Sequence, residues 1–127
     1  MWLYNKYIKE VEAIGDTNAC CAIAYSVLTK STIIDSNRVL NRKHGQGVLA
    51  HVLNQALNRK GLVLTPVNVR GLARSLPKRL DRNHVYLVYY NSHVSVITYG
   101  VFQDWISDKN TRNKRAEIVY RVDGAVI

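Results

Sequence analysis

From Ala19 the chain places Cys20, Ile23, Ala24, Val27 and Leu28 at i, i+3, i+4 spacing. That is the stripe of a buried helix, expected to run to about Thr29. Before it, Leu3 to Ile14 alternates apolar and charged residues loosely enough for either a short helix or an N-terminal arm. Gly15-Asp16-Thr17-Asn18 then forms a turn rich in helix-capping residues. A second helix is expected from near Ser36, using Val39 and Leu40, with Asp35 as its cap, and is broken by His44-Gly45-Gln46-Gly47. A third spans Val48 to Arg59, with Val48, Val52, Leu53 and Leu57 on one face, and stops at Lys60-Gly61.

After Gly61 the period changes. Leu62-Val63-Leu64 is a short apolar run ending at Thr65-Pro66, and Asn68 to Leu76 reads as a short helix that Pro77 ends. Val85 to Tyr90, His93 to Thr98 and Val101 to Trp105 are strand-like, rich in β-branched and aromatic residues. Tyr99-Gly100 is the expected hairpin turn. Ser107 to Arg115 is a polar, basic loop, and Glu117 to Val122 is a last strand. Helices first and antiparallel strands afterwards define an α+β fold, with N-terminal helices packed on a small antiparallel sheet. At 127 residues, with no repeat or linker, residues 1–127 are expected to form one domain.

Composition narrows the function classes. The longest nearly apolar run, Ala19 to Leu28, is about half of a membrane span. Met1-Trp2-Leu3-Tyr4 lacks the basic start and apolar stretch of a secretory signal, so a cytoplasmic protein with no membrane partner is expected. Of the net charge of +9, the whole excess falls in the middle. Arg38 to Arg82 holds ten Lys and Arg against one acid, Asp81, whereas the remainder carries eight of each sign. Such a field fits a solvated helical face, or an acidic protein or nucleic acid as partner through residues 38–82.

The only two cysteines, Cys20 and Cys21, are adjacent and cannot staple a loop. Packing in the core explains them, since free cysteine is commonly buried. So does chemistry. A cysteine in the first turn of a helix lies near unpaired backbone N–H groups and the positive end of the dipole, which favour the thiolate. The same groups, with the Asn18 amide as a second donor, are placed to hold a developing oxyanion. Downstream, a two-residue turn at Tyr99-Gly100 pairs Thr98 with Val101 and Ser95 with Asp104. His93 and Asp104 then lie diagonally on one face, as a base and its orienting carboxylate require. A three-residue loop with a bulge would part them. No CxxC spacing offers a zinc site, and the glycines around Gln46 match no phosphate loop, so neither metal nor cofactor is expected.

Three segments, GDTNACCAIAYSVL (Gly15 to Leu28), NRKHGQGV (Asn41 to Val48) and SHVSVITYGVFQDW (Ser92 to Trp105), carry a resemblance. Their order resembles the papain-like cysteine peptidase fold, in particular compact C39-like members of bacterial and phage proteins. The resemblance implies Cys20 as nucleophile, His93 as base, Asp104 as orienter and Asn18 as oxyanion donor. Cys21 is the alternative nucleophile if the helix begins one residue later. It implies a thiol-dependent amide hydrolase or acyl-transfer enzyme acting on a protein or peptide. A phage accessory protein working in host cytoplasm would fit the same resemblance. The alternative function is a non-catalytic basic binding module of that fold, acting on nucleic acid or an acidic host protein through Arg70, Arg74, Lys78, Arg79 and Arg82. Arg112, Lys114 and Arg115 on the late loop would assist. A degenerate peptidase fold serving as an inhibitor is a third possibility.

Overall fold

The computed structural model describes residues 6–103 and 113–125. Among them are five helices and five strands, in an α+β arrangement. Helix α1 (Lys6–Ala13) buries Tyr7, Ile8 and Val11 along one stripe. Helix α2 (Cys20–Thr29) is buried from Cys21 to its end, as an apolar sequence of that length must be to lie inside a small domain. Its few polar side chains are paired, within the helix or with neighbouring elements. The Ser26 and Ser36 hydroxyls meet at 2.6 Å, and Thr29 donates back to the Tyr25 carbonyl at 2.7 Å.

Helix α3 (Ile33–Val39) starts earlier than its apolar pattern predicted. Thr32, not Asp35, is its cap, accepting the Asp35 N–H at 3.1 Å. Asp35 lies in the first turn, where its charge suits the helix dipole and pairs with exposed Arg38. Helix α4 (Ala50–Arg59) buries Leu53, Ala56 and Leu57. Val48 and Leu49, expected inside it, precede it, with Leu49 extended at the cap position.

Strand β1 (Val63–Val67) contains Pro66, and this is tolerable because β1 is an edge strand. The helix expected over Asn68 to Leu76 is not formed. A 3-10 turn at Ala73–Ser75 leads instead into α5 (Leu76–Arg79), where Pro77 lies in the first turn and opens the helix rather than ending it. Arg70, expected inside that helix, is therefore outside any helix.

Strands β2 (Val85–Tyr90), β3 (His93–Thr98), β4 (Val101–Gln103) and β5 (Ile118–Asp123) complete one antiparallel sheet in the order β1-β5-β2-β3-β4. Both faces of its centre are covered, so β2 and β3 are buried along their whole length. Val85, Leu87, Tyr89, Val94 and Val96 join the core built on α2, while Tyr86, Val88, Ile97 and Phe102 join a second cluster with Leu76 and Leu80. The β3–β4 turn has the expected register, Thr98 opposite Val101. Tyr99 and Gly100 both have positive φ (49° and 81°), the backbone a two-residue turn between twisted strands requires. The described part of β4 ends at Gln103. Asp104, Trp105 and Arg112 lie outside the described residues.

Candidate active site

The segment before α2 is anchored from below. Asp16 is buried, and its carboxylate accepts from the Thr17 and Gly45 N–H groups, the Asn37 amide and Arg42. All five guanidinium N–H directions of Arg42 are used. It donates twice to Asp16, and once each to the Asn37 Oδ1, the Thr17 carbonyl and the Gln46 carbonyl. Burial alone would raise the Asp16 pKa, but Arg42, the Gly45 N–H and the Asn37 amide outweigh it and hold the carboxyl at about 2. The turn over 15–18 and the loop over 41–47 are thereby locked together, and Asn18 emerges from the turn with a positive φ of 53°.

Cys20 is the first residue of α2, after Ala19, which offers no side-chain cap. The opening N–H groups of the helix thus have no intrahelical acceptor and no capping oxygen from Ala19. Cys20 is partly exposed, whereas Cys21 is buried at 5 % and donates to the Val48 carbonyl at 3.6 Å. His93 opens β3 immediately after Asn91-Ser92, with Ser92 at φ 60°. Its ring lies near-parallel to that of Tyr90, 5.7 Å between centroids. Tyr90 in turn accepts from Ser95 at 2.8 Å.

These elements bring the Cys20 sulfur together with the Cys21 thiol, the His93 side chain and the Val94 N–H. Hydrogen bonding from Cys21 lowers the Cys20 pKa most, burial opposes it, and the His93 hydrogen bond and charge and the Val94 N–H lower it further, to about 5. Cys21 moves the opposite way, raised by its contact with Cys20 and by burial. The two shifts describe one arrangement, in which Cys20 carries the charge and Cys21 keeps its proton. That proton has two acceptors, the Val48 carbonyl and the Cys20 sulfur, and an anionic sulfur is the stronger.

Two cavities flank the sulfur. The larger, about 540 Å³, is lined by Asn18, Cys20, Val48, Leu49, Tyr89 and His93 among others. The smaller, about 260 Å³, shares Asn18, Cys20, Ser92 and His93 and is closed by Ile8, Val11 and Ile23 on its apolar side. Tyr89 stands at the wall of the larger one. Its hydroxyl lies 2.7 Å from the Asn54 Oδ1 and 3.2 Å from the Ala50 carbonyl, and burial raises its pKa, so it stays protonated.

Of the residues expected from sequence, Cys20, Cys21, Asn18 and His93 converge here. The Asn18 amide makes one long contact, 3.5 Å to the Gly45 carbonyl, and faces both cavities. Arg70, Arg74, Lys78, Arg79 and Arg82 are exposed on the segment before β2 and line neither cavity. Among the described residues no group of three His, Cys, Asp or Glu is placed to hold a metal ion. No described helix is long and apolar enough to cross a membrane. Asp16, Arg42 and Tyr89 have structural parts that the sequence did not announce. Asp16 read only as a turn residue and Arg42 as one more surface charge, since nothing local pairs positions so far apart. No protein-family model, curated protein or solved structure matches this chain.

Proposed function

We propose that this chain is a thiol-dependent amide hydrolase or acyl-transfer enzyme of papain-like topology, with Cys20 as nucleophile and His93 as proton carrier. The observation that carries the reading is the Cys20 sulfur itself. It lies at a helix start, contacted by His93, in a cavity, with its pKa drawn down to about 5. The order of the three segments and the hairpin register through Gln103 support the same topology.

In this reaction the Cys20 thiolate attacks a substrate carbonyl carbon, forming a C–S bond and an oxyanion. The Cys20 N–H and the Asn18 amide hold that oxygen. Protonated His93 gives its proton to the leaving nitrogen as the C–N bond breaks, leaving an acyl thioester. Neutral His93 then takes a proton from water, whose oxygen attacks the thioester. The acid departs and the thiolate is restored. Asp104, the residue after Gln103 in the chain, is the proposed partner that orients His93 and stabilises its cation. Cys21 is a poor nucleophile in this setting, because it is buried and keeps its proton.

The test is the rate of iodoacetamide alkylation against pH. Wild type and Cys21→Ser are expected to react through one thiol with a midpoint well below the ordinary value of about 8.5. Cys20→Ser abolishes that reaction, and His93→Ala moves its midpoint upward. Thiols that stay inert until the protein unfolds would sink the proposal and leave the basic binding module as the better account.

A further inference from the structure

A third cavity meets the tip of the β2–β3 hairpin, the turn at Asn91-Ser92. It measures about 480 Å³ and is lined by Arg70, Asn91, Lys114, Arg115 and Glu117 with Ala116. Asn91 is the residue before Ser92 and His93, so the rims of this cavity and of the Cys20 cavities are adjacent along the chain, one Cα step apart. Its walls are fixed by backbone. The Ala73 N–H donates to the Lys114 carbonyl at 2.8 Å, Ala116 N–H to the Gly71 carbonyl at 2.9 Å, and Glu117 N–H to the Tyr89 carbonyl at 2.8 Å. Lys114 Nζ donates to the Asn91 carbonyl at 3.0 Å, which ties the cation to the hairpin tip itself. Behind them Arg79 lies over Gly71 and donates to the Arg70 carbonyl at 2.6 Å. A side chain at Gly71 would meet that guanidinium at 3.0 Å.

Four cations thus stand together, and among the described residues none of them is ion-paired with a carboxylate. We propose that this cavity is a recognition subsite for an acidic side chain of a polypeptide substrate, two residues along the hairpin from His93. The proposal rests on the reading of Cys20 and His93 as an amide-cleaving pair, because that reading makes the bound chain a polypeptide. The lining favours a carboxylate on two further grounds. Arginine forks match carboxylates in a bidentate way. Among the described residues no aromatic ring lines the cavity on which a nucleic acid base would stack, and Glu117 within it opposes a dense run of phosphates.

The experiment uses the full chain as Cys20→Ser, with a fluorescein-labelled hexaglutamate amide as probe and anisotropy as readout. Oligothymidylate of equal charge is the comparison, and both are measured between about 50 and 200 mM salt. The peptide is expected to bind, and to lose about tenfold or more in affinity when Arg70, Lys114 and Arg115 are all changed to Gln. Arg70→Lys with Arg115→Lys keeps the charge but loses the forks, so its affinity should fall between wild type and the triple variant, and Arg38→Gln should leave binding unchanged. In the unmodified chain the peptide should slow alkylation of Cys20, and the triple variant should lose that protection. Equal peptide affinity in the triple variant, or tighter binding of oligothymidylate than of peptide, overturns the subsite. A reactive Cys20 with no peptide binding rejects the subsite alone. An unreactive Cys20 with charge-dependent peptide binding rejects the amide-cleaving pair and, with it, the role of this cavity in a substrate.

Discussion

Asp16 and Arg42 meet at 2.6 Å with both side chains withdrawn from solvent. Their pairing fixes the turn that delivers Cys20 to the start of its helix. Because the folded carboxyl titrates at about 2, below its ordinary 3.8, its contribution is complete above about pH 4 and is lost as pH falls through 2. That contribution is about 2 kcal/mol. Urea unfolding followed from pH 5 to pH 2 should show the loss. Asp16→Asn leaves Arg42 buried without its counter-charge, and a cost of about 3–5 kcal/mol at pH 7 is expected. An Asp16→Asn protein as stable as wild type would show that the pair does not anchor the turn.

Cys21 governs its neighbour through one proton. Cys21→Ala removes the donor that lowers the Cys20 pKa most, so the alkylation midpoint of Cys20 should rise. Cys21→Ser keeps a donor at that place and should leave the midpoint nearer wild type. Mass spectrometry of the alkylated protein, read at each pH, separates the two. Identical midpoints in the alanine and serine variants would assign the depression to His93 and Val94 instead.

Tyr89 links the sheet to the start of α4 through its hydroxyl. Tyr89→Phe removes that link and leaves the ring in place, at a cost of about 1 kcal/mol. Amide exchange over Ala50 to Asn54 should quicken, whereas the alkylation profile of Cys20 should hold. Unchanged exchange over those residues would mean that the apolar contacts of Leu53 and Leu57 hold α4 by themselves.

The turn at Tyr99-Gly100 is built on left-handed backbone at both positions. A methyl at Gly100 would stand 2.9 Å from the Arg82 Nε besides straining the φ of 81°. Gly100→Ala should therefore cost about 1–2 kcal/mol in chemical denaturation. Tyr99→Asn should instead stabilise, by up to about 1 kcal/mol, because asparagine tolerates that conformation. A neutral result at both positions would point to a turn that relaxes freely.

Much of this was legible because the signals were local. The stripe on Cys20, Ile23, Ala24, Val27 and Leu28 gives α2 almost residue for residue, and the β-branched and aromatic runs give β2 and β3 to the residue. The meeting of Cys20 with His93 followed from order along the chain. What was not legible depended on partners distant in sequence. Asn68 to Leu76 carries a helix-compatible composition, yet the backbone of Gly71 and Ala73 is held in bonds to Lys114 and Ala116, which compete directly with a helix. Pro77 marks a boundary either way, and only the tertiary setting decides that a helix begins there. Thr32 displaced Asp35 as a cap because Ile33, fully buried, is better placed inside the helix than before it.

The start of α2 is also left incomplete. Ala19 supplies no capping oxygen, and an oxygen-bearing cap in its place is ordinarily worth about 1 kcal/mol to a helix. In the proposed reaction an oxygen from outside, the anion of the tetrahedral intermediate, accepts from this uncapped first turn at the Cys20 N–H. The folded state forgoes a stabilisation that the transition state then collects, so the same vacancy that weakens the helix at rest favours the chemistry.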